Sequence, residues 1–194
     1  MDKRRFLAAG LLGSAVPLGV RAAQAVERSG HGLLIVTGAI THTNRGPLDP
    51  ALDQLMVKHG ARFERARQFN SAMLDRLPAV TIQPTIEYDA KVHTLSGPLL
   101  STVVEAAGVA SDAPVMLALR ALDGYTVAVS LADARAYRMI VATALDGVPM
   151  SLGGLGPLWA VVDADRLPAF KDKPLKERFG LCPWGLYSID VKTL

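Results

Sequence analysis

The stretch Val115-Met116-Leu117-Ala118-Leu119-Arg120-Ala121-Leu122-Asp123-Gly124-Tyr125-Thr126-Val127-Ala128-Val129-Ser130 decides the fold class. Two strand-forming runs flank Asp123-Gly124, the strongest short turn signal in the chain, because a two-residue hairpin turn needs backbone conformations that Asp and Gly tolerate. They predict a hairpin of residues 115–121 and 125–130. Downstream, Leu131-Ala132-Asp133 opens a short acidic-to-basic segment, residues 140–145 read as a strand, and Asp146-Gly147 reads as a further turn. Gly153-Gly154-Leu155-Gly156-Pro157 leads into a strand at 159–162. Residues 171–178 are charged and expected to be exposed, and residues 184–191 alternate in the manner of a strand that closes the sheet.

Upstream, Ser96-Gly97-Pro98 is expected to open a helix over 99–107, with Leu99, Leu100, Val103 and Val104 at helical spacing and Gly108 as its stop. Residues 80–87 and 91–94 have strand character around Tyr88-Asp89-Ala90. Residues 61–77 read as a helical or irregular stretch, rich in Arg and turned by Pro78. Asp49-Pro50 is expected to start a helix to about residue 59 with Leu52, Leu55 and Met56 on one face. Residues 31–40 form a strand with branched Ile35, Val36, Thr37 and Ile40, and 41–47 a polar loop. The pattern is α+β: a single domain with mixed β-sheets and a few short helices.

The chain has 194 residues, half of them apolar and a fifth charged, which suits one domain with its own core and excludes disorder and collagen-like repeats. Lys3, Arg4, Arg5 and Arg21 against Asp2 account for the whole net charge of +3. The remainder is neutral, so nucleic-acid binding through a basic face loses its main support. Lys3-Arg4-Arg5, the apolar stretch 7–20 and the small-x-small site Ala23-Gln24-Ala25 read as a secretory signal over 1–25, leaving 26–194 as the folded domain. Lys-Arg-Arg-Phe-Leu also approximates a twin-arginine signal, so both export routes stay open. Either places the protein in the periplasm. A single Cys allows no internal disulfide.

Several segments follow one another in a recognisable order: Thr37-Gly38-Ala39-Ile40, the Asn44 loop, Leu95-Ser96-Gly97-Pro98-Leu99-Leu100, Asp123-Gly124-Tyr125, Asp146-Gly147-Val148-Pro149-Met150, Gly156-Pro157-Leu158-Trp159 and Trp184-Gly185-Leu186-Tyr187-Ser188-Ile189-Asp190-Val191. Together they resemble the sulfite-oxidase-like molybdopterin-binding fold, in its short exported form, over roughly residues 32–192. Enzymes of that family hold molybdenum through a Cys thiolate from the middle of the domain. Here the one Cys is Cys182, near the C-terminal end, where it reads as a small apolar filler beside Trp184. The resemblance therefore points away from molybdopterin and from oxidoreductase chemistry, and towards the PruR-like periplasmic pterin-binding regulators. These bind a reduced, metal-free pterin and act on the periplasmic region of a membrane diguanylate cyclase/phosphodiesterase. They thereby influence cyclic di-GMP signalling, attachment and biofilm formation. The competing expectation is a molybdopterin-dependent oxidoreductase with atypical metal ligation, which rests on the fold alone.

A pterin is a flat bicyclic ring with a donor-acceptor edge like that of guanine, so its site needs a face to stack on and a carboxylate or amide for the edge. Trp159 and Trp184 are the candidate platforms, each weighed against core packing, and Tyr125 could stack or donate a hydrogen bond. Asp123 and Asp133 are the candidates for the amino-pyrimidine edge, since a carboxylate accepts two parallel N–H bonds. Asp123 is equally expected as a turn residue and Asp133 as a helix-capping one. Arg135 and Arg138 share a face if their segment is helical and could hold the ligand's polar tail, or simply be solvated. Asn44 could read the ligand or shape its loop. His31, His42, His59 and His93 are scattered without ligand spacing, so a zinc site is not expected. There is no Gly-x-Ser-x-Gly, and Gly153-Gly154-Leu155-Gly156 is not followed by a helix pattern, as a dinucleotide loop would require. Arg62, Arg65 and Arg67 with Phe63 and Phe69 read as a helix with one solvated face, or as a partner surface.

Overall fold

A computed structural model describes residues 30–194; the expected signal segment lies outside them. Among the described residues the eleven strands are β1 (Gly32–Gly38), β2 (Arg67–Asn70), β3 (Ala79–Ile82), β4 (Leu95–Pro98), β5 (Val115–Ala121), β6 (Thr126–Ser130), β7 (Ile140–Ala142), β8 (Ala144–Leu145), β9 (Val148–Pro149), β10 (Trp159–Val161) and β11 (Leu186–Thr193). Four short helices join them: α1 (Gln54–Lys58), α2 (Ser71–Leu74), α3 (Leu100–Ala106) and α4 (Leu131–Ala136). The strands form a five-stranded sheet in the order β2-β1-β11-β5-β6, a four-stranded sheet β3-β4-β8-β9 and a pair β10-β7. Only β1 and β11 run parallel; the other pairings are antiparallel, so the fold is α+β with mixed sheets. No described helix is long and apolar enough to cross a membrane.

The Asp123-Gly124 hairpin forms as its sequence dictates, with Met116 opposite Ser130 and Arg120 opposite Thr126. Along β5 the residues alternate strictly between buried and half-buried, which is the signature of one face on the core and one on solvent. Leu117, Leu119, Val127 and Val129 point inward to meet Leu34 and Val36 of β1, Ile189 and Val191 of β11, and Leu100, Val103 and Val104 of α3. Residues 184–191 do yield a strand, but β11 lies in the middle of the sheet, between β1 and β5, rather than closing its edge.

Four local expectations are corrected. Ser96-Gly97-Pro98 is strand, not a helix start: Ser96 pairs with Thr81 and Ala144, and Gly97 with Val80. A Cβ at Gly97 would lie 2.0 Å from the Val141 carbonyl oxygen, so the close approach of β4 to β7 requires glycine there. The helix begins only at Leu100. The helix expected from Asp49 is confined to Gln54–Lys58, because the Asp49 carboxylate accepts from Ala51 and Leu52 N–H and holds a turn instead. Leu52 is consequently exposed and only Met56 of that trio is buried. Within 61–77, Arg67–Asn70 is a strand recruited by pairing with β1, and Asn70 then caps α2 through its side chain, 2.8 Å from Met73 N. The stretch expected at 140–145 is split at Thr143 into β7 and β8, which belong to different sheets.

Candidate functional site

The hairpin turn brings Asp123 and Tyr125 to one end of the five-stranded sheet. Gly124 adopts φ +93°, a conformation that suits glycine, and its N–H bonds the Ala121 carbonyl at 3.0 Å. Asp123 Oδ1 accepts from Tyr125 N–H at 2.9 Å, so this carboxylate closes the turn as expected, with its other oxygen left to face outward. The Tyr125 hydroxyl donates to the Gly180 carbonyl at 2.8 Å, which ties the hairpin to the segment before β11. On the far side of that segment Trp184 is 37% exposed.

These residues enclose a cavity of about 210 Å³, also lined by Glu87, Tyr88, Lys176, Phe179 and the chain at Cys182-Pro183. Its walls carry the aromatic rings of Tyr88, Tyr125, Phe179 and Trp184. Its charged groups are two carboxylates, Glu87 and Asp123, and one ammonium, Lys176. The Tyr88 phenol is pushed above its ordinary range, first by loss of water around it and then by the Glu87 carboxylate beside it, while the Trp184 indole acts the other way. The phenol held in its neutral form is a hydrogen-bond donor, and the carboxylate oxygens are acceptors. The arrangement can grip a flat heteroaromatic ring on its faces and accept N–H bonds along one edge.

Of the eight residues singled out in the sequence, Asp123, Tyr125 and Trp184 converge here and the other five do not. Trp159 is fully buried, donates from Nε1 to the Cys182 carbonyl at 2.8 Å and packs against Phe179; its ring offers no face to a ligand. Asn44 clamps β2, donating to the Gln68 carbonyl at 2.9 Å and accepting from Gln68 N–H at 2.7 Å. Asp133 sits in the first turn of α4 and accepts from Ser130 Oγ at 2.6 Å, while Ser130 Oγ accepts from Asp133 N–H, a reciprocal cap. Arg135 pairs with Glu105 of α3. Arg138 lies beyond the end of α4 with φ +50°, so it does not share a helical face with Arg135, and it lines a separate cavity with Asp163 and Arg166.

Sequence reading missed Glu87, Tyr88, Lys176 and Phe179. Tyr88-Asp89-Ala90 reads only as a break between strands, and the charged segment 171–178 only as solvated surface; nothing local in either marks a ligand wall.

Cys182 does not fit the molybdenum ligand of the family the sequence resembles. It is buried, and burial pushes its thiol up to about 12, so it is held as the neutral thiol rather than the thiolate a soft metal needs. Among the described residues no group of three or more His, Cys, Asp or Glu is arranged to hold a metal ion. No family model matches the chain, and no curated protein is significantly similar to it.

Proposed function

We propose that the protein is a periplasmic, non-catalytic pterin-binding protein that relays ligand occupancy to the periplasmic region of a membrane enzyme making and degrading cyclic di-GMP, and so influences attachment and biofilm formation. One observation carries the binding step: three aromatic residues, Tyr88, Tyr125 and Trp184, and two carboxylates, Glu87 and Asp123, surround one small cavity. At about 210 Å³ it is smaller than the pockets that take drug-sized molecules, and it suits a single bicyclic ring. The signalling step follows from the sequence resemblance and the export signal. It requires that the partner prefer one occupancy state, since a ligand with no differential effect shifts nothing.

The test is titration of the purified protein with tetrahydrobiopterin, as a reduced-pterin probe, under anaerobic conditions, read by quenching of tryptophan fluorescence. Micromolar binding is expected. Removing the Trp184 ring should weaken it about tenfold or more, the scale of base–aromatic stacking. Asp123→Asn should cost a similar factor, because a charge-assisted bond becomes a neutral one. The Asn side chain can still accept from Tyr125 N–H and so keep the turn. No binding at millimolar pterin would overturn the proposal.

A further inference from the structure

The outer face of the five-stranded sheet carries a second cavity, of about 290 Å³, that plays no part in the pterin reading. Strand register builds it. One row across the sheet runs Ser188, Arg120, Thr126, and the next runs Thr37, Asp190, Ala118, with Lys192 one row further along β11. Side chains in such rows share a face and lie next to one another. Ala118 gives the floor its depth, and Gly60, Ala61 and Arg62, which follow α1, form the wall above.

The charges in this cavity do not balance. Asp190 is already engaged, accepting from Thr37 Oγ1 at 3.1 Å with Lys192 Nζ 3.7 Å away. The partners of Arg120 are neutral: its Nε donates to Thr126 Oγ1 at 3.1 Å and its Nη1 to the His59 carbonyl, and its guanidinium also acts on the Tyr187 hydroxyl. Among the described residues neither Arg62 nor Arg120 has a carboxylate partner. Ser188 adds a second, independent sign. Its side chain faces the cavity, the residue is only 7% exposed, and its hydroxyl has no hydrogen-bond partner among the described residues. That oxygen is reached by solvent through the cavity, so it is free to donate to a ligand there. Two uncompensated guanidinium groups, a nearby ammonium and an unused hydroxyl are the donor set that an oxyanion completes.

We propose that this cavity binds a phosphate group, with Arg62 and Arg120 on its charge and Ser188 Oγ donating to one of its oxygens. The phosphate is either free or carried as a monoester of a small polyol, and the two sources differ at Asp190, where a polyol hydroxyl would find an acceptor.

Isothermal titration of the full chain with inorganic phosphate and, separately, glycerol 3-phosphate, at fixed ionic strength, tests the site. Submillimolar binding of at least one is expected, with tighter binding of the ester identifying a phosphorylated polyol and tighter binding of phosphate identifying the free ion. Arg62→Gln and Ser188→Ala should each weaken binding about tenfold, the loss of one charge-assisted or buried hydrogen bond. Both positions avoid the contacts by which Arg120 holds the end of α1, so the variants should fold, which their unchanged thermal midpoints would check. The Trp184→Ala variant should bind phosphate as the parent does, which separates this site from the pterin cavity. Absence of binding at 10-fold above millimolar anion, on the order of the weakest specific affinities, or affinity indifferent to Arg62 and Ser188, would overturn the proposal.

Discussion

Trp159 and Trp184 face each other across an isolated bridge, yet they do opposite work. The ring of Trp159 fills the core, and truncating such a residue leaves a void. Trp159→Ala is expected to lower unfolding free energy by about 3–5 kcal/mol, whereas Trp184→Ala should change it by less than about 1 kcal/mol. Guanidinium denaturation of the two variants distinguishes them. Sequence alone leaves both rings open to either role, because both sit beside a glycine turn at the edge of a strand, and it inclines Trp184 rather than Trp159 to the core. Only packing of the 179–184 segment assigns one to the core and the other to the cavity. Gly97 makes the complementary point: it reads as part of a helix start, but its role is to let β4 pass the Val141 carbonyl. Gly97→Ala is expected to cost about 1–3 kcal/mol, the usual penalty of overpacking, as a lowered thermal midpoint with the fold retained.

At the scale of elements, the segment that supplies Glu87 and Tyr88 is tied to the turn between β8 and β9 by one imidazole. His93 Nδ1 lies 2.6 Å from Asp146 Oδ2 and its Nε2 lies 3.0 Å from Asp89 Oδ2. The Asp146 carboxylate first, and then Asp89, raise the His93 pKa above its ordinary 6.5. Asp89 and Asp146 are both held below the ordinary 3.8, in each case first by their bond to His93. The raised histidine contributes stability that is complete below pH 6.5 and is lost as pH rises through its higher folded value. The lowered carboxylates contribute stability present above pH 3.8 and lost as pH falls through their folded values. The bridge is therefore strongest in mildly acid solution, between about pH 4 and 6.5. The denaturation midpoint is expected to fall on moving above pH 6.5, and His93→Gln should flatten that decline; an unchanged profile in the variant would remove the bridge from the account. Local signals made much of this level legible. The 115–130 hairpin, the Asp146-Gly147 turn and the body of α3 are each written in a few adjacent residues. Strand β2 is not, because Arg67-Gln68-Phe69-Asn70 becomes strand only by pairing with β1. The cavity is legible by half for the same reason: Asp123 and Tyr125 belong to a turn, while Glu87 and Lys176 arrive from segments whose neighbours are distant in sequence.

For the whole molecule, the decisive element is β11. It pairs in parallel with β1 and antiparallel with β5, and its inward residues Ile189 and Val191 lie in the common core. Ile189→Ala should destabilise by about 2–5 kcal/mol, whereas Lys192→Ala, at the exposed end of the same strand, should be nearly neutral in the same denaturation measurement. A chain ending before Leu186 should show no cooperative unfolding at all, since two halves of the sheet would each lose their central neighbour.

That position also governs how the chain behaves before it is folded. Until β11 has been synthesised, β1 and β5 each present an unpaired edge, and no earlier strand can take the place between them. Contacts spanning some 150 residues of chain close late and slowly. The sheet is therefore completed only when its last-made strand arrives, and until then both edges stay open to pairing with another chain.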